Sequence, residues 1–394
     1  MNHNLQKLFQ IAQKEEKVCI GLMSGTSLDG LDIALCSFTG SGIHTKFKLL
    51  RFTTIPYTDD FKSKIQSVFA KRQADLEEVC LLNAFIGNFH GELVLQALSQ
   101  WEINPADVDF IASHGQTIYH APKRLHNREG YPNATLQIGD GDHLAVKTGI
   151  LIISDFRQKH IAAGGEGAPL ALYGDVILGS KAGENRILLN IGGIANLTWL
   201  PADVNEDEIL CTDIGPGNTL IDAACRKYFN LPYDEDAKIA LSGNVNEALL
   251  QALLSHSFFK EKAPKTTGPE LFGLEYVQQA QKQSGTSSIN YEDLICTLSA
   301  FTAESIANFI SENFRNCDIN IFTSGGGAKN RYIIDYLKRA LPQCKISGTG
   351  ALGIDPDAKE AILFALLGNE AICGEPMHIG VNPAVLMGKF SFPR

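Results

Sequence analysis

No two of the nine cysteines stand in a C-x-x-C pair, and they lie scattered between Cys19 and Cys373. That spacing offers neither a zinc knuckle nor a disulfide framework, and an odd, mostly apolar-flanked set fits a reducing compartment. Clusters of lysine and arginine are missing as well. With 34 basic against 44 acidic residues the formal net charge is −10, which argues against a nucleic-acid partner. No apolar run approaches the length that spans a bilayer, so no membrane partner is expected. Residues 1–17, with Lys14, Glu15, Glu16 and Lys17 among them, have no apolar core of the signal-peptide kind. The expected location is the cytoplasm. A low-complexity linker is absent too, so the two domains that 394 residues suggest are expected to be packed and hinged.

What the chain does have is glycine, placed in short polar stretches at the ends of apolar runs. "IGLMSGTSLDGLDIALCSF" sets three glycines, three serines, a threonine and two aspartates among apolar residues. The runs 18–22 and 33–38 read as strands, and the polar part is too glycine-rich for a stable helix. Such a bend offers N–H groups and hydroxyls to a phosphate, or is a plain hairpin turn. Residues 47–54 continue as a strand and 75–100 carry helix-period apolar residues. The strand 108–112 runs into "SHGQT", 136–138 lead to "GDGDHLA", and 150–153 end in "SDFR".

The second half starts again in the same way. Strands 186–191 and 195–200 flank "NIGGIAN", and 208–212 end in "DIGPGN" before a helix at 219–229. A helix is expected at 292–313, then a strand 320–323 entering "SGGGAKN" and a helix 331–340, with a closing helix at 357–367. Two α/β lobes with facing polar loops are expected, hence a cleft. Three glycine-rich connections after strands favour a nucleotide over three ordinary turns. Asp213, beside a Gly-Pro-Gly bend, can accept a proton, orient water, hold Mg²⁺ or merely cap a turn. His114, Gln116 and Thr117 suit a sugar's hydroxyls. Arg157 can receive a carboxylate, or form a salt bridge with Asp155. Asp355, Asp357 and Glu360 crowd a helix start, where acids are common anyway.

In order, "GLMSGTSLDGLD", "SHGQT", "LQIGD", "SDFR", "GGEGAPL", "LNIGGIANLT", "DIGPGN" and "SGGGAKN" resemble the motifs of the anhydro-N-acetylmuramic acid kinases. The resemblance begins at about residue 18 and runs to the C-terminal region. It implies the acetate and sugar kinase, heat-shock chaperone and actin superfamily: an α/β, two-lobed actin-like ATPase and sugar kinase fold with a central interlobe cleft. The expected lobes are 1–155 with 362–394, and 156–361. The implied reaction uses ATP, Mg²⁺ and water to open the 1,6-anhydro bridge and phosphorylate O6, in recycling of bacterial cell wall. A homodimer is implied as well.

Carried over by position, Gly25, Thr26, Ser27, Leu28, Asp29, Gly30, Leu31 and Asp32 would form the first ATP loop. Gly192, Gly193 and Asn196 would form the second, with Gly325, Gly326, Gly327 and Asn330 near the nucleotide. Asp213 takes the place of the catalytic base and Glu360 of a second catalytic acidic group near the sugar. His114, Thr117, Asp155 and Arg157 would line the sugar site. Met23 stands where many superfamily relatives carry an aspartate, which leaves the metal ligands open. Four departures bear on the sugar: Gln158, Lys159 and His160 follow "SDFR", Glu166 replaces a neutral amide, Pro269 replaces an arginine, and residues 235–238 depart from "DGK". They leave open a same-fold kinase of another hydroxylated small molecule. A non-metabolic ATP-binding regulator is the reading from another class.

Overall fold

A computed structural model of the chain describes residues 2–168, 170–268, 270–314, 318–355, 357–379 and 382–394. Pro269 thus lies outside the described residues. Strands β1 (Glu16–Ser24) and β2 (Gly30–Thr39) form the expected antiparallel pair, with Cys19 opposite Cys36 and Gly21 opposite Ala34. β3 (Lys46–Pro56) extends the pair, and β4 (Phe110–Ala121) runs parallel to β1 on its other side. β5 (Ala134–Ile138) pairs antiparallel with β4, and β6 (Leu151–Ser154) pairs parallel with it. Ile20, Leu22, Ile33, Val94, Ile111 and Ile152 are fully shielded in the core of this unit. The helix Lys359–Cys373 packs on β1, β2 and β4. It comes so close that a Cβ on Gly21 would stand 1.8 Å from the Ala361 carbonyl oxygen, so only glycine fits there.

The second unit repeats this plan. β7 (Asn185–Ile191) and β8 (Ile194–Leu200) are antiparallel, and β9 (Leu210–Pro216) extends them. β10 (Ile319–Ser324) and β11 (Cys344–Gly348) follow in parallel on the other side of β7. The order β9-β8-β7-β10-β11 matches β3-β2-β1-β4-β6 strand for strand and direction for direction. A repeat that sequence identity could not show is plain in the topology. The helix Tyr291–Asn313 corrects the expectation that no apolar stretch is long enough for a membrane: its length and hydropathy of 1.3 would allow it. In this unit 83% of its apolar window is buried, with Leu298, Phe301 and Ile306 in the core, so it is a core helix here.

β12 (Lys389–Ser391) returns to the first sheet beside β6. The contacts divide the chain into Met1–Leu178 with Asp355–Arg394, and Gly179–Ile354. Residues 156–178 and 355–361 therefore differ from the expected boundaries. The tilted rings of Phe156 and Phe364 lie 5.5 Å apart, and the Tyr173 hydroxyl donates to the Pro383 carbonyl at 3.0 Å, both within the first unit. A cut after residue 361 would also split a continuous helix. The helix His3–Gln13, capped by Asn2, belongs to the same unit, where Asn4 donates to the Pro393 carbonyl at 3.2 Å.

Candidate active site

In the second unit register alone builds a polar row. Ser324 on β10 lies opposite Asn190 on β7, Asn190 opposite Asn196 on β8, and Asn196 opposite Asp213 on β9. Residues paired across strands share a sheet face, and all four are partly exposed. Three glycine-bearing turns interlock at the end of this row. Gly217 and Asn218 donate their N–H groups to the carbonyls of Gly193 and Gly192 at 2.8 Å each, and the Thr219 hydroxyl donates to Gly193 at 2.7 Å. Asn218 Nδ2 reaches the Ile191 carbonyl at 3.2 Å. Gly325, at φ +80°, sits so close to Ile191 that a Cβ would meet its carbonyl oxygen at 2.7 Å. Gly326 by contrast faces open space, its nearest neighbour being Asn218 Nδ2 at 3.5 Å. A cavity of about 440 Å³ opens here, lined by Asn218, Asp222, Tyr233, Gly326, Lys329 and Asn330. Asn330 also caps the helix Arg331–Ala340, accepting from the Ile333 N–H at 3.1 Å.

Asp213 is half-buried and held from both ends. Its N–H donates to the Lys265 carbonyl at 3.0 Å, and its carboxylate accepts from the Thr267 N–H at 2.9 Å. Burial pushes this carboxyl above its ordinary value, and the Thr267 N–H pulls partly back. The Thr267 hydroxyl, beside that carboxylate, is buried without a partner among the described residues. Lys265 is locked away: its ammonium donates to the Phe258 carbonyl at 2.7 Å and lies 4.2 Å from that ring's centre.

The first unit places the opening loop at the end of β1. Thr26, Ser27 and Asp29 are exposed, Gly25 is partly so, and Leu28, at φ 59°, turns into the core. Leu31 is fully buried, and a Cβ on Gly30 would meet the Ile55 carbonyl at 2.5 Å, so these two serve packing against β3. Asp32 accepts from the Thr54 hydroxyl at 2.6 Å; burial raises its carboxyl, with smaller pushes from Asp357 and Asp29. Gln116 is fully buried, bonded to Ser24 at 2.5 Å, and reaches the Gly25 carbonyl at 3.5 Å. Tyr57 completes the chain, donating to Ser24 at 2.8 Å and lying 3.0 Å from His90 Nε2. Gln116 thus supports the loop rather than facing a ligand.

His114 is also enclosed, 4% exposed, and its Nε2 accepts from Arg157 Nε and Nη2 at 3.1 Å each. Arg157 Nη1 donates to the Gly167 carbonyl at 2.7 Å. Burial first, then the Arg157 charge, lowers the His114 pKa to about 3, so the ring is neutral. Asp155 pairs with Lys389 and not with Arg157, which corrects the expected salt bridge. Thr117 is partly exposed and accepts from Gln137 at 3.3 Å. Glu360 is exposed in the first turn of its helix, close enough that its charge favours the protonated Arg157 guanidinium.

The sequence model of the anhydro-N-acetylmuramic acid kinase family matches residues 17–386. The chain belongs to this family. The anhydro-N-acetylmuramic acid kinase of Pseudoalteromonas translucida (strain TAC 125) is 52% identical over 400 residues, covering 100% of both chains. That of Caldanaerobacter subterraneus subsp. tengcongensis is 38% identical, over 98% of this chain and 100% of the other. Among solved structures, a glucokinase from Streptomyces griseus in complex with glucose and AMPPNP aligns at 10% identity with a TM-score of 0.36, over 89% of this chain and 98% of that one. At that level nothing about the site is carried across.

As a member of the anhydro-N-acetylmuramic acid kinase family the chain has departures whose surroundings are now visible. Gln158 donates to the Thr135 carbonyl at 2.7 Å, and His160 Nδ1 accepts from the Gly167 N–H at 3.0 Å, so both brace neighbouring backbone. Glu166 pairs with Arg124 at 3.3 Å. Asp236 and Ala237 both take left-handed φ, which shapes the turn beside the 440 Å³ cavity. Reading the sequence missed Thr267, Asn218 and Lys329. "PKTTG" carries no glycine-rich or strand-end signal at Thr267, and only the pairing of its backbone with β9 brings it to Asp213.

Proposed function

We propose that this chain is an ATP-dependent anhydro-N-acetylmuramic acid kinase, opening the 1,6-anhydro bridge with water and phosphorylating O6 to give N-acetylmuramic acid 6-phosphate and ADP. The observation that carries the chemistry is Asp213, half-buried, raised in pKa and fixed by the Thr267 N–H. It takes the proton of the water that attacks C1, while O6 leaves onto the γ-phosphoryl group. In the second unit the phosphates rest on backbone N–H groups of Gly192, Gly193, Gly325, Gly326 and Gly327, with Asn196 beside them; in the first unit the exposed part of the 25–32 loop offers N–H groups and hydroxyls of the same kind. The adenosine end occupies the cavity beside Asn218, Tyr233, Gly326 and Asn330. Among the described residues no three His, Cys, Asp or Glu side chains cluster as a metal cage. Mg²⁺ keeps waters and phosphate oxygens and takes one or two carboxylates, and the partly exposed Asp32 carboxylate fits that need. Asp32 would be the chain's ligand, and the ion would neutralise phosphate charge.

Thr117, Asp155 and Glu360 contact the sugar in this reading. The two guanidinium N–H groups that Arg157 has left receive the lactyl carboxylate, and His114 positions Arg157. A homodimer working in the cytoplasm, within cell-wall recycling, completes the proposal. The tied-down Gln158 and the Arg124–Glu166 pair favour, as second reading, a different sugar for the same chemistry. ATP turnover with and without anhydro-N-acetylmuramic acid separates the readings. Sugar-dependent ADP release supports the first; turnover only with other sugars supports the second; sugar-independent turnover refutes both.

A further inference from the structure

On β4, beyond Thr117 and within reach of the Arg157 charge at His120, the first unit holds a second concavity of about 620 Å³. Its floor is the far end of β4 at Tyr119 and His120, and its rim carries Lys71, Arg72, Arg128 and Tyr131. The size is that of a pocket for a compact organic ligand. Its charge is unlike the rest of the chain. The protein carries ten more acidic than basic residues, yet none of the described residues lining this hollow is acidic. Among the described residues Lys71, Arg72 and Arg128 have no carboxylate within salt-bridge distance, although ten other lysines and arginines do not lack one. Three unpaired cations around one hollow raise the local potential for an anion.

The remaining surface is not salt-like. Tyr131 is 64% and the neighbouring Leu125 61% exposed, so large apolar faces stand open beside the cations. The walls are built before any ligand arrives. His126 Nδ1 accepts from the Arg128 N–H at 3.0 Å, which leaves the proton on Nε2, 3.1 Å from the Pro132 carbonyl that it meets. The Lys123 N–H donates to Asn133 at 2.8 Å, closing the same loop. The Ala70 N–H donates to the Ile118 carbonyl at 2.8 Å, which pins the stretch bearing Lys71 and Arg72 against β4. A wall organised in this way spares a ligand the cost of ordering it.

We propose that this hollow is a separate binding site for a phosphorylated ring compound, its phosphate on Lys71, Arg72 and Arg128 and its ring against Tyr119 and Tyr131. A sugar phosphate and a nucleoside diphosphate share that chemistry, and both are products of the reaction proposed above. Guanidinium groups suit phosphate because they present paired donors, and tyrosine rings take either a sugar's C–H face or a base.

Calorimetric titration of the full chain with N-acetylmuramic acid 6-phosphate, ADP and inorganic phosphate tests this. The wild type is expected to bind two molecules per chain of one ring compound. The Arg72→Glu/Arg128→Glu variant is expected to bind one, with kcat and both KM values within twofold of wild type. The compound whose stoichiometry falls identifies the source. Tyr131→Ala should weaken the second site at least tenfold and leave inorganic phosphate unaffected. Equal stoichiometry in wild type and double variant for both compounds overturns the site. Inorganic phosphate binding as tightly as either ring compound overturns the ring's part in it.

Discussion

Replacing Asp213 by asparagine keeps the side chain's shape and an oxygen to accept the Thr267 N–H, which lies 2.9 Å from the carboxylate. Folding stability should therefore move by no more than about 0.5 kcal/mol. The base is lost outright. A positioned general base contributes roughly 10²–10⁴ in rate, or about 2.7–5.5 kcal/mol of barrier. Saturating-substrate assays should show kcat down by that factor, while titration finds ATP binding unchanged. Asp213→Ala should show the same loss of kcat and a second effect. It strands the Thr267 N–H, which costs about 1–3 kcal/mol and lowers Tm by several degrees. Because burial raises the Asp213 carboxyl, the acid limb of the wild-type kcat profile should lie above that of an ordinary aspartate and vanish in the asparagine variant. Near-normal kcat in Asp213→Asn, with collapse in Asp155→Asn instead, would refute the assignment.

A Cβ on Gly193 would stand 2.9 Å from the Thr219 hydroxyl, so Gly193→Val should weaken ATP binding at least tenfold with circular dichroism unchanged; an unaltered Kd removes that turn from the nucleotide site. Arg157→Ala should raise KM for anhydro-N-acetylmuramic acid far more than for an analogue without the lactyl group, and equal losses on both would sink the carboxylate contact. Burial holds His90 near about 3, and burial with the Arg157 charge holds His114 near about 3. The unfolded chain takes up those protons near pH 6.5, so stability should fall as pH drops from 6.5 towards 3, by roughly 1.4 kcal/mol per histidine per pH unit. Urea midpoints at pH 7.5 and 5.5 check this, and equal midpoints contradict it.

Local signals were strong where an element's ends are written in its own residues. The helices Thr219–Phe229 and Arg331–Ala340 match the sequence reading to the residue, because a glycine or asparagine stands at their starts and apolar periodicity fills them. The antiparallel pairs around both glycine bends were equally legible, since apolar runs broken by Gly-Thr-Ser or Gly-Gly have few other ways to fold. What each polar residue does was another matter. Gly21 and Gly30 proved to be places where backbone packs on backbone, and Gln116 and His114 proved to be enclosed supports of Gly25 and Arg157. Asp155 found its cation 234 residues away, at Lys389. A sequence period records which side of one element is apolar, over a few residues. Which element covers that side, and which distant atom meets a given carboxylate, follows from strand register and helix docking, and these exist only once the chain has closed on itself.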